Sequence, residues 1–106
     1  MDPASYKDLT TSRGFKYHYY RAVARDSQPT LLFLHGFPST SRDWRYQAAS
    51  FSKNGYGLII PDMLGYGGTA KPTNVEAYGW SLVVNDIVNI LDEEGIQKFI
   101  VVAHDW

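Results

Sequence analysis

The chain has 106 residues, a length that permits one small domain and excludes two. Its composition is 44% hydrophobic and 20% charged, with a formal charge of -1 and no cysteine, which excludes disulfides, thiolate chemistry and the basic footprint of a nucleic-acid binder. No stretch approaches the ~20 consecutive apolar residues of a bilayer span, and Met1, Asp2 and Pro3 lack the basic start of a signal peptide. The expected setting is therefore the cytoplasm, and the expected partner a small neutral molecule, with no nucleic acid and no membrane.

In chain order, residues 7–12 and 15–24 flank an Arg13-Gly14 turn, and Phe15, Tyr17 and Tyr19 alternate with Lys16, His18 and Tyr20. Period-two alternation about such a turn predicts a hairpin covered on one face. After a turn cluster at residues 26–29, residues 31–34 are continuously apolar, and residues 57–61 and 99–103 repeat the pattern. Such runs are strands covered on both faces of a parallel sheet. Between the first two lies a helix over 41–53, with Trp44, Ala48 and Phe51 on one face, Ser39 or Ser41 as cap and Gly55 at its end. A longer helix precedes the last strand: Trp80, Val84, Ile87, Val88 and Leu91 recur at helical spacing, Asp92, Glu93 and Glu94 lie outside, and Gly95 stops it. The alternation of strand and helix predicts an α/β fold with a mostly parallel sheet.

In such sheets ligands bind beyond the carboxyl ends of the strands. The three apolar strands leave those ends through His35-Gly36-Phe37-Pro38, through Asp62 with Gly65, Gly67 and Gly68, and through His104-Asp105-Trp106. A carboxylate followed by glycines most simply ties down its loop by accepting backbone N–H bonds, which is the role expected of Asp62. Residues 65–70 also satisfy a G-x-G-x-x-A dinucleotide pattern. They run into Lys71-Pro72 with no helix opening to receive a pyrophosphate, so that reading is rejected. His104 is adjacent to Asp105, but successive strand side chains point to opposite faces, so it is read as a packing residue rather than a catalytic partner.

The loop His35-Gly36-Phe37-Pro38, Trp44 downstream, the Asp62/Gly65/Gly67 loop and an acidic residue after small Ala103, all in this order, resemble the α/β-hydrolase superfamily and, within it, the epoxide hydrolases. The resemblance covers the first third of such an enzyme. It implies an α/β-hydrolase fold in its N-terminal part, with strand order 1-2-4-3-5, an antiparallel N-terminal hairpin, helices on both faces and a cis Phe37-Pro38 bond. Residues 1–106 would be the N-terminal portion of a single domain whose lid and C-terminal part lie outside it.

The resemblance makes Asp105 the nucleophile, held on a strained strand-to-helix elbow where small neighbours avoid a clash. A carboxylate there suits displacement at a saturated carbon to give an ester, and hence epoxide opening, or dehalogenation in the alternative reading. Phe37 favours epoxides, since haloalkane dehalogenases often carry Asn at that position. The backbone N–H groups of Phe37 and Trp106 would hold the oxyanion formed when water attacks the ester, an effect typically worth ~3 kcal/mol per donor. His35, Gly36 and Pro38 would form the supporting loop. Neither step needs a cofactor or a metal. The general base and lid tyrosines of the family match no position of this sequence, so the chain alone is expected not to turn over. A third reading is a non-catalytic truncated chain. The apolar strand 99–103 is expected to be an uncovered edge that leads to self-association or to dependence on a complementing C-terminal fragment.

Overall fold

A computed structural model describes residues 1–105. Five strands, β1 (Tyr6–Thr10), β2 (Lys16–Ala22), β3 (Thr30–Leu34), β4 (Gly57–Pro61) and β5 (Phe99–Ala103), form one sheet in the order β1-β2-β4-β3-β5. The order is the one the resemblance implies. β2 pairs antiparallel with both β1 and β4, whereas β3 pairs parallel with β4 and β5. Only β2 therefore runs against the other four. The two crossovers between strands of the same direction, β3 to its neighbour β4 and β4 past β3 to β5, are made by α1 (Arg45–Lys53) and α2 (Trp80–Glu93).

The continuously apolar strands divide their side chains between two cores. Leu31, Phe33, Leu58 and Ile60 pack with Ala48, Trp44 and Phe51 on the α1 face. Leu32, Ile59, Tyr17 and Tyr19 pack with Val83, Ile87, Ile90 and Leu91 on the α2 face. Every residue of β4 is buried, as befits the central strand, and each fully buried Leu or Ile contributes ~1.5–3 kcal/mol relative to exposure.

Two details differ from the sequence expectation. The first helix is preceded by a 3-10 turn, Ser41–Trp44, whose cap is Thr40, accepting from the Arg42 N–H at 3.3 Å, rather than Ser39 or Ser41. In α2 the buried stripe is Val83, Asp86, Ile87, Ile90 and Leu91, while Trp80, Val84 and Val88 are exposed. The stripe is rotated because Asp86 and Glu94, polar by sequence, have charged partners. The Arg13 guanidinium donates twice to Asp86, at 2.9 and 2.6 Å, and the Tyr17 hydroxyl donates to it at 2.6 Å. Glu94, expected outside, has a side chain only 6% exposed and accepts from Lys7, Tyr19 and Arg21 at 2.6–2.9 Å. Burial is acceptable for a carboxylate so completely paired.

Candidate active site

The sheet register determines which loops meet. β3 and β5 run in step from Thr30 opposite Phe99 to Leu34 opposite Ala103, so His35-Gly36 and His104-Asp105 leave the sheet side by side. A last bond from the His104 N–H to the Leu34 carbonyl, 3.2 Å, carries the pairing to the brink of the turn. There Asp105 adopts φ +65°, a left-handed conformation uncommon outside glycine. Residues forced into it concentrate at functional sites, because the surroundings must over-determine the strained geometry.

Gly36 is the surrounding that matters most. A Cβ placed on it would collide with the Asp105 Cβ and stand 2.7 Å from the His104 carbonyl oxygen. Only glycine permits this approach. The next peptide bond but one, Phe37-Pro38, is cis, as the resemblance implies.

His35 is 2% exposed, and its Nε2 accepts the Met63 N–H at 2.9 Å while its Nδ1 lies 3.0 Å from the Gly36 carbonyl. An Nδ1–H tautomer satisfies both contacts, with the ring donating to Gly36 and accepting from Met63. His35 thus clips the β3 loop to the β4 loop. Asp62, buried below, accepts from the Ser41 N–H at 2.8 Å and the Gly68 N–H at 2.9 Å, and its carbonyl accepts from the Thr69 hydroxyl at 2.6 Å. Gly67, at φ +52°, presses so closely on this carboxylate that a Cβ would strike it. Asp62 ties its loop, as expected from the sequence, and does not line the cleft beside Asp105.

That cleft, about 220 Å³, is lined by His35, Gly36, Phe37, Asp105, Met63, Leu64, Tyr66, Tyr78, Trp80 and Val83. Four of the residues singled out in the sequence, His35, Gly36, Phe37 and Asp105, are therefore brought to one place. Pro38 continues the loop, and Trp106 lies outside the described residues. His104, which donates the last ladder bond to the Leu34 carbonyl, has an exposed side chain among the described residues and does not line the cleft. The cleft's aromatic wall was not anticipated. Tyr66 meets His35 edge-on at 5.1 Å and Phe37 at 6.5 Å between ring centroids. Its place between Gly65 and Gly67 was the only available signal. Tyr78, whose hydroxyl donates to the Pro72 carbonyl at 2.7 Å, and Trp80 reach the cleft from the turn that opens α2.

Among the described lining residues Asp105 is the one carboxylate, set in a mostly apolar cleft at the carboxyl ends of parallel strands. The arrangement can present a carboxylate oxygen to a neutral, apolar electrophile.

The family model described as "alpha/beta hydrolase fold" matches residues 29–106. Epoxide hydrolase 3 of Siraitia grosvenorii is 39% identical over 106 residues, covering all of this chain and 32% of the relative. Epoxide hydrolase A of Mycobacterium tuberculosis (strain ATCC 25618 / H37Rv) is 37% identical over 74% of this chain and 24% of its own length. The crystal structure of an epoxide hydrolase from Vigna radiata superimposes with a TM-score of 0.85 at 36% identity, over 95% of this chain and 32% of that one. The chain thus spans about a third or less of the length of these relatives. With the family match over most of its length, the strand order and the three loops converging at the sheet's carboxyl edge, the chain belongs to the α/β-hydrolase fold family.

Proposed function

We propose that the chain is the nucleophile-bearing portion of an epoxide hydrolase, with Asp105 as the nucleophile. The observation that carries this reading is the left-handed Asp105 seated against Gly36 at the mouth of an aromatic cleft. The named epoxide hydrolases among its relatives support the reaction class.

One Asp105 oxygen attacks an epoxide carbon, the ring C–O bond breaks, and the alkoxide so formed takes a proton from solvent water. The product is a hydroxyalkyl ester of Asp105. Water then adds to the ester carbonyl, the oxyanion is held by the N–H groups of Phe37 and Trp106, and collapse releases a vicinal diol and the carboxylate. The second step needs a base to deprotonate the water. His35 does not serve, since both its ring nitrogens are engaged in joining the two loops. The 106-residue chain should therefore stop at the ester. The substrate is expected to be a neutral, apolar epoxide, because the walls offer aromatic and aliphatic contacts.

The test is intact-mass analysis after incubation with an aryl epoxide such as styrene oxide, followed by peptide mapping. A single adduct on Asp105, absent from Asp105→Asn, is the expected result, since an amide does not displace at carbon. An adduct mapping elsewhere, or one that persists in Asp105→Asn, overturns the assignment. A haloalkane run in parallel tests the dehalogenase reading through halide release.

A further inference from the structure

The segment that faces Asp105 is not held by its own backbone donors. Among the described residues neither the Gly36 nor the Phe37 N–H donates a backbone hydrogen bond, so packing must set where the Phe37 N–H points. One residue packs on both sides of that segment. The Tyr66 ring meets His35 at 5.1 Å between centroids with an interplanar angle of 88°, and Phe37 at 6.5 Å and 67°, both edge-to-face arrangements. His35 and Phe37 flank Gly36, the residue that presses on Asp105. Tyr66 is itself anchored: its N–H donates to the Met63 carbonyl at 2.9 Å, and its carbonyl accepts the Thr69 N–H at 3.0 Å. Its neighbour Gly65, at φ +92°, lies so close to the Tyr78 ring that a Cβ would stand 3.0 Å from it. The Tyr78 hydroxyl, bonded to the Pro72 carbonyl, closes the same loop.

We propose that Tyr66 is a positioning residue for the reaction: its ring, bearing on His35 and Phe37, fixes the Phe37 N–H against the Asp105 carboxyl. This rests on the reading of Asp105 as nucleophile and of the Phe37 N–H as an oxyanion donor. Both contacts are made by the ring, so the Tyr66 hydroxyl is dispensable. The two half-reactions then respond differently. During displacement at the epoxide the carboxylate loses negative charge, so an N–H donor to it favours the starting state and loosening that donor does not slow ester formation. When a nucleophile attacks the ester, charge develops on the carbonyl oxygen, and only a donor already in place stabilises it. Tyr66 therefore acts on ester cleavage and not on ester formation.

The test uses the ester at which the 106-residue chain should stop. The styrene oxide adduct is isolated and treated with hydroxylamine, whose nitrogen attacks the ester carbonyl. Collapse of the oxyanion expels the diol, which takes a proton from that nitrogen, and leaves a hydroxamate at Asp105. Mass analysis times both the formation of the adduct and its release, and circular dichroism verifies folding. Tyr66→Leu should form the adduct at the wild-type rate but release it about tenfold more slowly, less than the loss of a whole donor would cost. Tyr66→Phe should match the wild type in both. Amide relaxation measured by NMR reads the same hold without any chemistry. The Phe37 N–H order parameter should be about 0.85 in the wild type and Tyr66→Phe, and below about 0.6 in Tyr66→Leu. Phe37→Leu, which removes the contact from the other side, should reproduce the slow release and the mobile N–H, and it carries the test if Tyr66→Leu does not fold. An unchanged order parameter, an unchanged release rate, or a Tyr66→Phe protein as slow as Tyr66→Leu would overturn the proposal. A wild type that forms no adduct at Asp105 refutes the reaction and with it the role given to Tyr66, whereas a normal adduct with unaltered release refutes the role of Tyr66 alone.

Discussion

At the scale of single residues, the site depends on one missing Cβ. Gly36 faces Asp105 so closely that Gly36→Ala must push either the His35 loop or the elbow aside. We expect this variant to lose adduct formation at Asp105 by at least tenfold and to be destabilised by about 1–3 kcal/mol, in the range for overpacking a close contact. Adduct kinetics and urea denaturation give the two numbers. Asp62→Asn separates support from chemistry. It keeps the shape but weakens the bonds from the Ser41 and Gly68 N–H groups, and hydrogen bonds to a charged acceptor are worth about 1.5–3 kcal/mol. The expected outcome is a lower urea midpoint with the Asp105 adduct still formed. An adduct lost from a folded Asp62→Asn protein would instead make Asp62 part of the reaction.

At the scale of elements, α2 is held to the hairpin by polar contacts more than its apolar stripe suggests. Asp86, 2% exposed, receives the fork of Arg13 and the Tyr17 hydroxyl, while Asn89 accepts the Ser12 N–H at 2.8 Å. Burial, followed by the neighbouring Asp86 carboxylate, raises the Tyr17 phenol well above its ordinary range, so it remains a donor at any physiological pH. Asp86→Ala strands the buried Tyr17 hydroxyl and leaves Arg13 unpaired. Because Arg13 is partly solvated, the expected loss is about 3 kcal/mol, at the low end for breaking a buried pair. Tyr17→Phe removes a single bond to a charged group and should cost about 1.5–3 kcal/mol. A urea midpoint for Asp86→Ala within error of wild type would show that α2 is held by its apolar face alone. Since Trp80 and Val83 at the start of α2 line the cleft, this clamp also sets one wall of the site.

At the scale of the whole molecule, the second carboxylate clamp links stability to pH. Burial alone would raise the Glu94 pKa, but the hydrogen bonds from Tyr19, Lys7 and Arg21 outweigh it and hold the carboxyl below its ordinary 4.5. A group with a folded pKa below its unfolded one contributes stability fully above the unfolded value and loses it as pH falls through the folded value. The Glu94 contribution to stability should therefore be constant from pH 7 to about 5 and decline below 4.5, and Glu94→Gln should flatten that decline. Urea unfolding of both proteins at intervals from pH 7 to pH 3 checks this. Equal acid slopes would show that Glu94 is not the linked group. The clamp's reach matters for so small a protein, because it ties β1, β2 and α2 together where the hydrophobic core has little surplus.

What was legible in the sequence was local. Continuous apolar runs marked β3, β4 and β5 because a strand covered on both faces has no polar side to show, and the alternation in β2 marked a strand whose Tyr17 and Tyr19 face inward. The short motifs at the strand ends pointed to His35, Gly36, Phe37 and Asp105, since loops at a sheet's carboxyl edge must converge. The buried face of α2 was not legible. Its period fitted two adjacent stripes equally well, and only the approach of Arg13, Tyr17, Lys7 and Arg21 from the hairpin decided that Asp86 and Glu94 turn inward, while Trp80, Val84 and Val88 line the groove between α2 and β5. The aromatic wall of the cleft was also hidden, because Tyr66, Tyr78 and Trp80 are separated from Asp105 by tens of residues and meet it only through the β3–β5 register and the crossover of α2. Periodicity reports which side chains are apolar, and tertiary pairing decides which polar ones find partners that make their burial affordable.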